Sequence, residues 1–497
     1  MQNLDIKPEI EIKPEIERYQ ERDQPRRRIP LVVDLDGTLI LGDLLYEAII
    51  ALLKRSFHWV LFLPLWLLRG RAVLKAELTR RVDLDVSSLV FNQPLIEYLK
   101  RRKASGKPLF LATGCHESWA HKIVEPLGLF DGVLATNGTR NVTSHEKLAV
   151  LREHFGTMEF DYAGNAVADC QIWRAARRAI VVNAPRRVAR WAARNVTVEH
   201  VIPRPPTRPA SVLRALRPHQ WLKNLLLFVP LITSLHFTDV EALTQLCIGF
   251  VAFSLCASSV YVLNDIVDMH DDRRHPRKRY RPFAAGELSV PHGLALAAAS
   301  LGAALALTLL LPWQFGAVLA VYYMTTFAYT FKLKQLEVID VLTLALLYTT
   351  RIFAGGMAAD ITLSVWLLAF AIFVFLSLAL AKRCTELMML HERNEKHAHG
   401  RGYCVSDLPL LHGMGTGSGY VAALVLGLYT NSYQVGQAYT HPWFLWVLVP
   451  LLIYWIMRLW LKTYRGEMHD DPVIFAARDP ASLAIAGMFG VTIWLAM

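Results

Sequence analysis

The sequence predicts a two-part molecule: an α/β doubly wound head with an inserted helical cap, fused to an all-α polytopic membrane domain of about nine transmembrane helices. Three observations carry that reading. Between residues 213 and 497, apolar runs of roughly 20 residues, long enough to cross a hydrocarbon core of about 30 Å, alternate with short polar loops. Before them, short apolar runs at 31–34, 109–113 and 179–183 alternate with helical patterns, as the buried strands of a parallel sheet do. The third is charge: the loops after the second, fourth, sixth and eighth apolar runs carry about 6, 2, 5 and 3 Lys/Arg, and the alternate loops carry none. Those basic loops are expected on the cytoplasmic side of a multi-pass cell (inner) membrane protein. The head is expected on the same side, since the first residues are charged and lack an apolar signal core.

Composition narrows the partners. With 54% hydrophobic residues and 13 Trp, most of the chain belongs among membrane lipids. The net charge of +11 resides largely in loops between apolar runs, without the aromatic interleaving of a nucleic-acid surface, so no nucleic acid is expected. Six cysteines show no CxxC or metal spacing, which excludes a disulfide framework. Residues 1–28, with the tandem IKPEIEIKPEIE, read as a flexible tail whose prolines and mixed charges build no core.

Residues 29–201 form the expected head. Its first apolar run ends in Asp34-Leu35-Asp36-Gly37-Thr38, a second ends in Thr113-Gly114, and 160–169 reads FDYAGNAVAD. These segments resemble the haloacid dehalogenase phosphohydrolase superfamily. The resemblance implies that Asp34 attacks a phosphoryl group, that Asp36 is the general acid and base, and that Mg²⁺ neutralises the charge between them. It assigns Thr113 to the phosphate, Lys147 to charge neutralisation, and Asn165 and Asp169 to the metal. Asn165 stands where that family carries an acid, and an amide oxygen is still a ligand for Mg²⁺. A phosphatase fold kept as a scaffold is the alternative. The insertion at about 43–100 holds the apolar segment 59–68, WVLFLPLWLL, too short to span; it reads either as a helix lying against the membrane or as an ordinary buried cap helix. Arg186, Arg187, Arg190 and Arg194 around Trp191 suit anionic headgroups or plain solvent. A stiff linker at 202–212, with Pro203, Pro205, Pro206 and Pro209, leads into the membrane domain at 213–497.

The spans fall near 221–236, 243–263, 294–311, 315–331, 338–358, 363–381, 411–429, 443–461 and 483–497. Residues 264–282, NDIVDMHDDRRHPRKRYRP, carry the strongest chemical signal. Asn264, Asp268 and Asp272 recur every fourth residue, about 40° apart on a helix, so they share one face, with Asp265 beside them. Such oxygens suit Mg²⁺. The run Arg273, Arg274, Arg277, Lys278, Arg279 and Arg281 suits phosphates. A solvated loop with positive-inside bias explains the bases but not the acids. Other charged segments share that side: 216–224 with Lys223 and Asn224, 329–334 with Lys334, Asp340 at the fifth span, and Lys382, Arg383 and Glu386 at the end of the sixth. Arg351 lies inside an apolar span, so it is expected to face the bundle interior and meet an anion or acid; a buried ion pair with Asp340 or Glu337 is the alternative to a substrate contact.

Together these segments resemble the UbiA superfamily of intramembrane prenyltransferases over about 213–497. The resemblance implies metal ligation by Asn264, Asp265, Asp268 and Asp272, which makes the three aspartates catalytic. It implies substrate binding by Lys223, Asn224, Lys278, Arg279, Arg281, Lys334, Asp340, Arg351, Lys382, Arg383, Glu386, Arg401 and Tyr403. Members with aromatic acceptors carry a second DxxxD in the loop after the sixth span; here Glu386, Glu392, Glu395, Arg401 and Tyr403 stand there instead. The entry motif LRPHQWLKN, HPRKRYRPFAAG and KRCTE look most like members that move a phosphoribosyl group from phosphoribosyl diphosphate to a polyprenyl phosphate. The alternative is transfer of a prenyl chain from a prenyl diphosphate lipid to an aromatic or other small acceptor. The reading from a different class is a transporter or a structural membrane protein with a regulatory head; a transporter would show paired broken helices or an obvious internal repeat, and the sequence shows neither.

Overall fold

A computed structural model describes residues 29–497 except 56, 84, 137–141, 143–144, 204–207, 235–237, 393–400 and 469–471. The expected tail at 1–28, Pro205, Pro206 and Glu395 lie outside the described residues. The chain forms two compact units: up to Leu39 with Asn92–Pro203, and Ile40–Phe91 with Arg204–Met497. The insertion thus clusters with the helical unit, where the sequence suggests a cap on the head.

The first unit is built on β1 (Leu31–Val33), β2 (Leu109–His116), β3 (Gly132–Thr136), β4 (Asp161–Gly164), β5 (Arg178–Val182) and β6 (Val198–Ile202). Their order is β3-β2-β1-β4-β5-β6, and every pair is parallel. Leu31, Val32 and Val33 are fully buried, which is why this central strand reads as an unbroken apolar run. Beneath it Val32, Ala112, Tyr162, Trp173 and Val181 share one core. Asp161 is also fully buried. Arg102 Nη2 at 2.6 Å and Arg177 Nη2 at 2.9 Å neutralise it, as a buried carboxylate requires. The chain leaves β1 for β2 on one side and later returns to β4 on the other. At such a switch point ligands generally bind beyond the strand C-terminal ends, and Asp34 directly follows β1 there.

The second unit is helical, with several apolar helices of a multi-pass membrane protein. Among the described residues, five helices have the length and apolarity of a span: Val240–Val267, Val290–Thr308, Ile339–Ala358, Val365–Glu392 and Pro442–Tyr464. A sixth arises if Pro472–Arg478 and Pro480–Ala496, bent by 76°, count as one. By length and apolarity, five or six spans are identified among the described residues, and the expected nine are not confirmed. The difference lies in dilution and breakage. Trp313–Phe331 is rich in Tyr and Thr, and Leu408–Thr430 in Gly and Ser. The first expected span is the tight 3₁₀ segment Pro218–Phe228 followed by the short helix Val229–Thr233. Outward residues such as Leu309 and Trp494, 85% and 72% exposed, carry no cost where lipid is the solvent.

The insertion comprises the helices Leu44–Arg55, Leu63–Leu68 and Arg71–Arg81 and the 3₁₀ turns Phe57–Phe62 and Val86–Ser88. Along WVLFLPLWLL, Trp66 is buried while Leu61, Phe62, Leu65, Leu67 and Leu68 are exposed. Trp59 stacks on Trp66 at 5.7 Å, and Arg81 lies over both rings.

Candidate functional site

In the first unit the structure gathers the motif residues at the switch point. Lys147 Nζ lies 2.6 Å from Asp34 Oδ1, and both are buried although 113 residues separate them. Thr38 Oγ1 donates to Asp34 Oδ2 at 3.3 Å. Burial raises the Asp34 carboxyl above the usual carboxylate range, against the pull of Lys147. Burial also opposes the charge on Lys147, but Asp34 and Asp169 outweigh it and hold its pKa above normal. Thr113 is fully buried near the C-terminal end of β2, next to β1, and its Oγ1 accepts from Cys115 N at 3.0 Å. Asp36 is half-buried two residues beyond Asp34.

Asp169 is held by neutral donors instead. Its Oδ1 accepts from Tyr162 Oη at 2.9 Å, and its Oδ2 from the backbone of Asn165 at 2.9 Å and Ala166 at 2.8 Å. Three of roughly four acceptor positions are thus filled by the protein. The Asn165 amide abuts the loop after β1: a Cβ added to Gly37, whose φ is +71°, would fall 2.1 Å from Asn165 Nδ2. Sequence reasoning missed Tyr162, which also lies 3.3 Å from Lys147 Nζ. A tyrosine in the run FDYAG just before Asn165 was the available signal.

In the second unit, Val240–Val267 ends at Asp268 and the short helix Met269–Arg274 follows. The hydrogen bonds Asp268 N to Asn264 O and Asp272 N to Asp268 O, 2.8 and 2.9 Å, carry the four-residue spacing across the junction. Asp265 and Asp272 are 2% and 3% exposed, so each needs a counter-charge. Arg281 Nη1 serves both, 3.1 Å from Asp265 Oδ1 and 2.6 Å from Asp272 Oδ2. Arg217 also pairs with Asp265, and Lys334 Nζ reaches Asp268 Oδ1 at 3.2 Å. Arg217 holds φ at +53°, a conformation uncommon outside glycine, at the start of the Pro218–Phe228 segment. Lys278 and Arg279 are exposed, and the Arg279 guanidinium lies over Tyr280, 4.9 Å from the ring centre.

A second network occupies the ends of the next helices. Asp340 and Arg383 are both fully buried, with Arg383 Nη2 2.7 Å from Asp340 Oδ2. Tyr329 Oη donates to Asp340 Oδ1 at 2.7 Å, and Arg401 Nη1 lies 3.5 Å from the same oxygen. Arg401 Nε is 3.1 Å from Glu386 Oε1, and Arg383 also pairs with Glu386. Tyr403 Oη accepts from Val338 N at 2.9 Å and so steadies a valine at φ +61°. Lys382 is half-buried beside Arg383 on the same helix.

Arg351 is buried as expected, yet its partners are neutral. Its Nε donates to Asn224 Oδ1 at 2.9 Å, its Nη2 to Tyr322 Oη at 3.1 Å, and its Nη1 to the carbonyl of Leu347. Phe253, Tyr322 and Tyr348 present their rings at 5.1–5.4 Å. The alternative of a buried ion pair with Asp340 or Glu337 is not what the structure builds: Asp340 pairs with Arg383 and Arg401. Asn224 Nδ2 donates to Ser254 Oγ at 2.9 Å, and the buried Lys223 lies 5.6 Å from the Tyr348 ring centre. Arg217, Tyr322 and Tyr329 are functional candidates that sequence reasoning passed over.

The motif fits a hard divalent cation in kind. Asp265 and Asp272 offer oxygen alone, and they already share one cationic group, Arg281. Among the described residues no three His, Cys, Asp or Glu gather as a ready metal cluster. Bases separate the acids instead, and a metal would have to displace them.

The UbiA prenyltransferase family model matches residues 225–485. The uncharacterized protein y4nM of Sinorhizobium fredii is 35% identical over 95% of this chain and 92% of its own length. Decaprenyl-phosphate phosphoribosyltransferase of Mycobacterium tuberculosis is 39% identical over 38% of this chain and 64% of its own. Among solved structures, a UbiA homolog from Archaeoglobus fulgidus bound to GPP and Mg²⁺ aligns with a TM-score of 0.45 at 16% identity, over 57% of this chain and 99% of that one.

Proposed function

The chain belongs to the UbiA prenyltransferase family, and from that premise we propose that it transfers a 5-phosphoribosyl group from phosphoribosyl diphosphate to a polyprenyl phosphate with Mg²⁺. One observation carries the choice of donor. Glu386, which stands where a second acidic metal motif is expected, is neutralised by Arg383 and Arg401, and both guanidinium groups also pair with Asp340. That half of the site therefore holds guanidinium groups, which suit a donor carrying a 5′-phosphate as well as a diphosphate, and an acceptor that is itself a phosphate. The relative named decaprenyl-phosphate phosphoribosyltransferase supports the same choice.

Asp265, Asp268 and Asp272 would hold the metal, with Asn264 beside them; bound there, it would draw charge from the leaving diphosphate. With the acids engaged by a divalent cation, Arg217, Arg281 and Lys334 would be available to the diphosphate, with Lys278 and Arg279 at the exposed edge. The acceptor phosphate is already an anion, so displacement at the anomeric carbon needs no general base. Positioning and charge stabilisation do the work. The buried cations Lys223 and Arg351, with Asn224, Lys382 and Tyr403, complete the expected substrate contacts.

In the first unit, Asp34 is the expected nucleophile, Asp36 the acid and base, and Lys147 and Thr113 the phosphate contacts. Asp34, Asp36, Asn165 and Asp169 would hold Mg²⁺. We infer that this unit removes the 5′-phosphate from the transferred product, since tethering consecutive steps raises the effective concentration of the shared lipid. The basic loops and the Asp34 unit would then face the cytoplasm.

The test is incubation of the purified chain with Mg²⁺, phosphoribosyl diphosphate and polyprenyl phosphate, followed by mass spectrometry of the lipid. A ribosylated lipid is expected, and Asp34→Asn should leave it phosphorylated. Label arriving from a prenyl diphosphate on a small aromatic acceptor, with no ribosylated lipid, would overturn the reading.

A further inference from the structure

We propose that Glu47, in the insertion between β1 and β2, is a positioning residue for the metal-binding acids of the transferase. The inference rests on the proposed metal role of Asp265, Asp268 and Asp272. Arg273 follows Asp272 directly, and on a helix neighbours point about 100° apart. While Asp272 turns to Arg281, Arg273 turns to the insertion. There Nη2 meets Glu47 Oε1 and Nη1 meets Glu47 Oε2, each at 3.0 Å, a bidentate pair between side chains 226 residues apart. Glu47 and Arg273 side chains are 2% and 8% exposed. Nη1 also donates to Ser88 O at 3.0 Å and Nε to Ala284 O at 3.3 Å, so this guanidinium is committed to the insertion and is not available to a phosphate.

Other contacts repeat the pattern. Ser88 Oγ lies 3.1 Å from His270 Nδ1, while Lys54 pairs with Asp271 and Arg274 with Asp85. Under them Ile50 packs with Val262, Ile266, Met269 and Phe283. The close fit extends to Gly286, where an added Cβ would lie 3.3 Å from Leu41 at a φ of +72°. Hence Met269–Arg274, a helix of 6 residues that would fray alone, is gripped through Asp271, Arg273 and Arg274, leaving Asp272 to Arg281. The grip would thereby set the orientation in which Asp272 is presented, beside Asp268, to the proposed metal. It also assigns the insertion to the transferase chemistry, although in sequence it interrupts the phosphatase-like unit.

The test is Mn²⁺ binding to the purified full chain, followed by the electron paramagnetic resonance signal of free Mn²⁺, together with transfer assays across a Mg²⁺ titration. Glu47→Gln and Arg273→Lys are each expected to weaken the Mn²⁺ binding that Asp268→Asn abolishes, by about tenfold. Each should raise the Mg²⁺ needed for half-maximal transfer in parallel, while the rate at saturating Mg²⁺ stays within about threefold. Arg80→Ala, which removes a pair internal to the insertion, Arg80 to Glu77 at 3.1 Å, should do neither. Thermal unfolding separates misfolding from misalignment, and Arg273→Lys provides a second reading if Glu47→Gln does not yield folded protein. Wild-type Mn²⁺ affinity in both variants would overturn the proposal. Wild-type protein that transfers phosphoribose without any Mn²⁺ binding sensitive to Asp268→Asn would overturn the metal assignment and the positioning role, but not the transferase reading.

Discussion

Asp340 and Arg383 show what a single buried charge demands of its surroundings. Neither side chain touches solvent, and their 2.7 Å contact is joined by Tyr329 and Arg401. Removing one member leaves the other desolvated without compensation, which typically costs about 3–5 kcal/mol. Arg383→Gln should therefore lower the thermal midpoint of the purified protein markedly, and the double change Asp340→Asn with Arg383→Gln should cost less than Arg383→Gln alone. An additive double-mutant cycle would show that the pair is uncoupled. Arg351 solves the same problem by other means, through aromatic faces and neutral acceptors.

At the scale of elements, close approach sets where the charged residues meet. The helix Ile339–Ala358 crosses the Pro218–Phe228 segment at Gly355, where an added Cβ would lie 2.0 Å from the Leu227 carbonyl oxygen. Arg351 is one turn before Gly355, and Asn224 one turn before Leu227, so this contact brings their 2.9 Å hydrogen bond into register. Backbone oxygen cannot step aside as a flexible side chain can. Gly355→Ala should force the elements apart, destabilise the protein by about 1–3 kcal/mol in thermal unfolding, and weaken transfer beyond that loss by unseating Asn224. The short elements obey the same logic: the 6-residue helix bearing Asp272 persists through what grips it rather than through propensity.

For the whole molecule, each unit contains its own set of acids and bases, so the two proposed activities should separate. Asp265→Asn should abolish transfer while hydrolysis of a generic phosphomonoester by the full chain persists, and Asp34→Asn should do the reverse. Measuring both activities on both variants decides the point, and loss of both in either variant would contradict separate sites. What the sequence by itself determined was local in origin. A buried parallel strand announces itself as an apolar run, a span by its length, and a metal-type motif by acids four residues apart, because one backbone period places all of their members. The positions of Asp34, Asp268 and Asp272 and their surrounding chemistry were therefore legible. Span count was less so, since Tyr, Thr, Gly and Ser leave the helices at 313–331 and 408–430 below the apolarity that marks a span. Only the tertiary structure decided which base meets which acid: Lys147 with Asp34, Arg281 with Asp265 and Asp272, Arg383 with Asp340, and Arg273 with Glu47 across 226 residues of chain. A charge constrains its partner by distance and burial rather than by sequence spacing, and those exist only once the chain has packed.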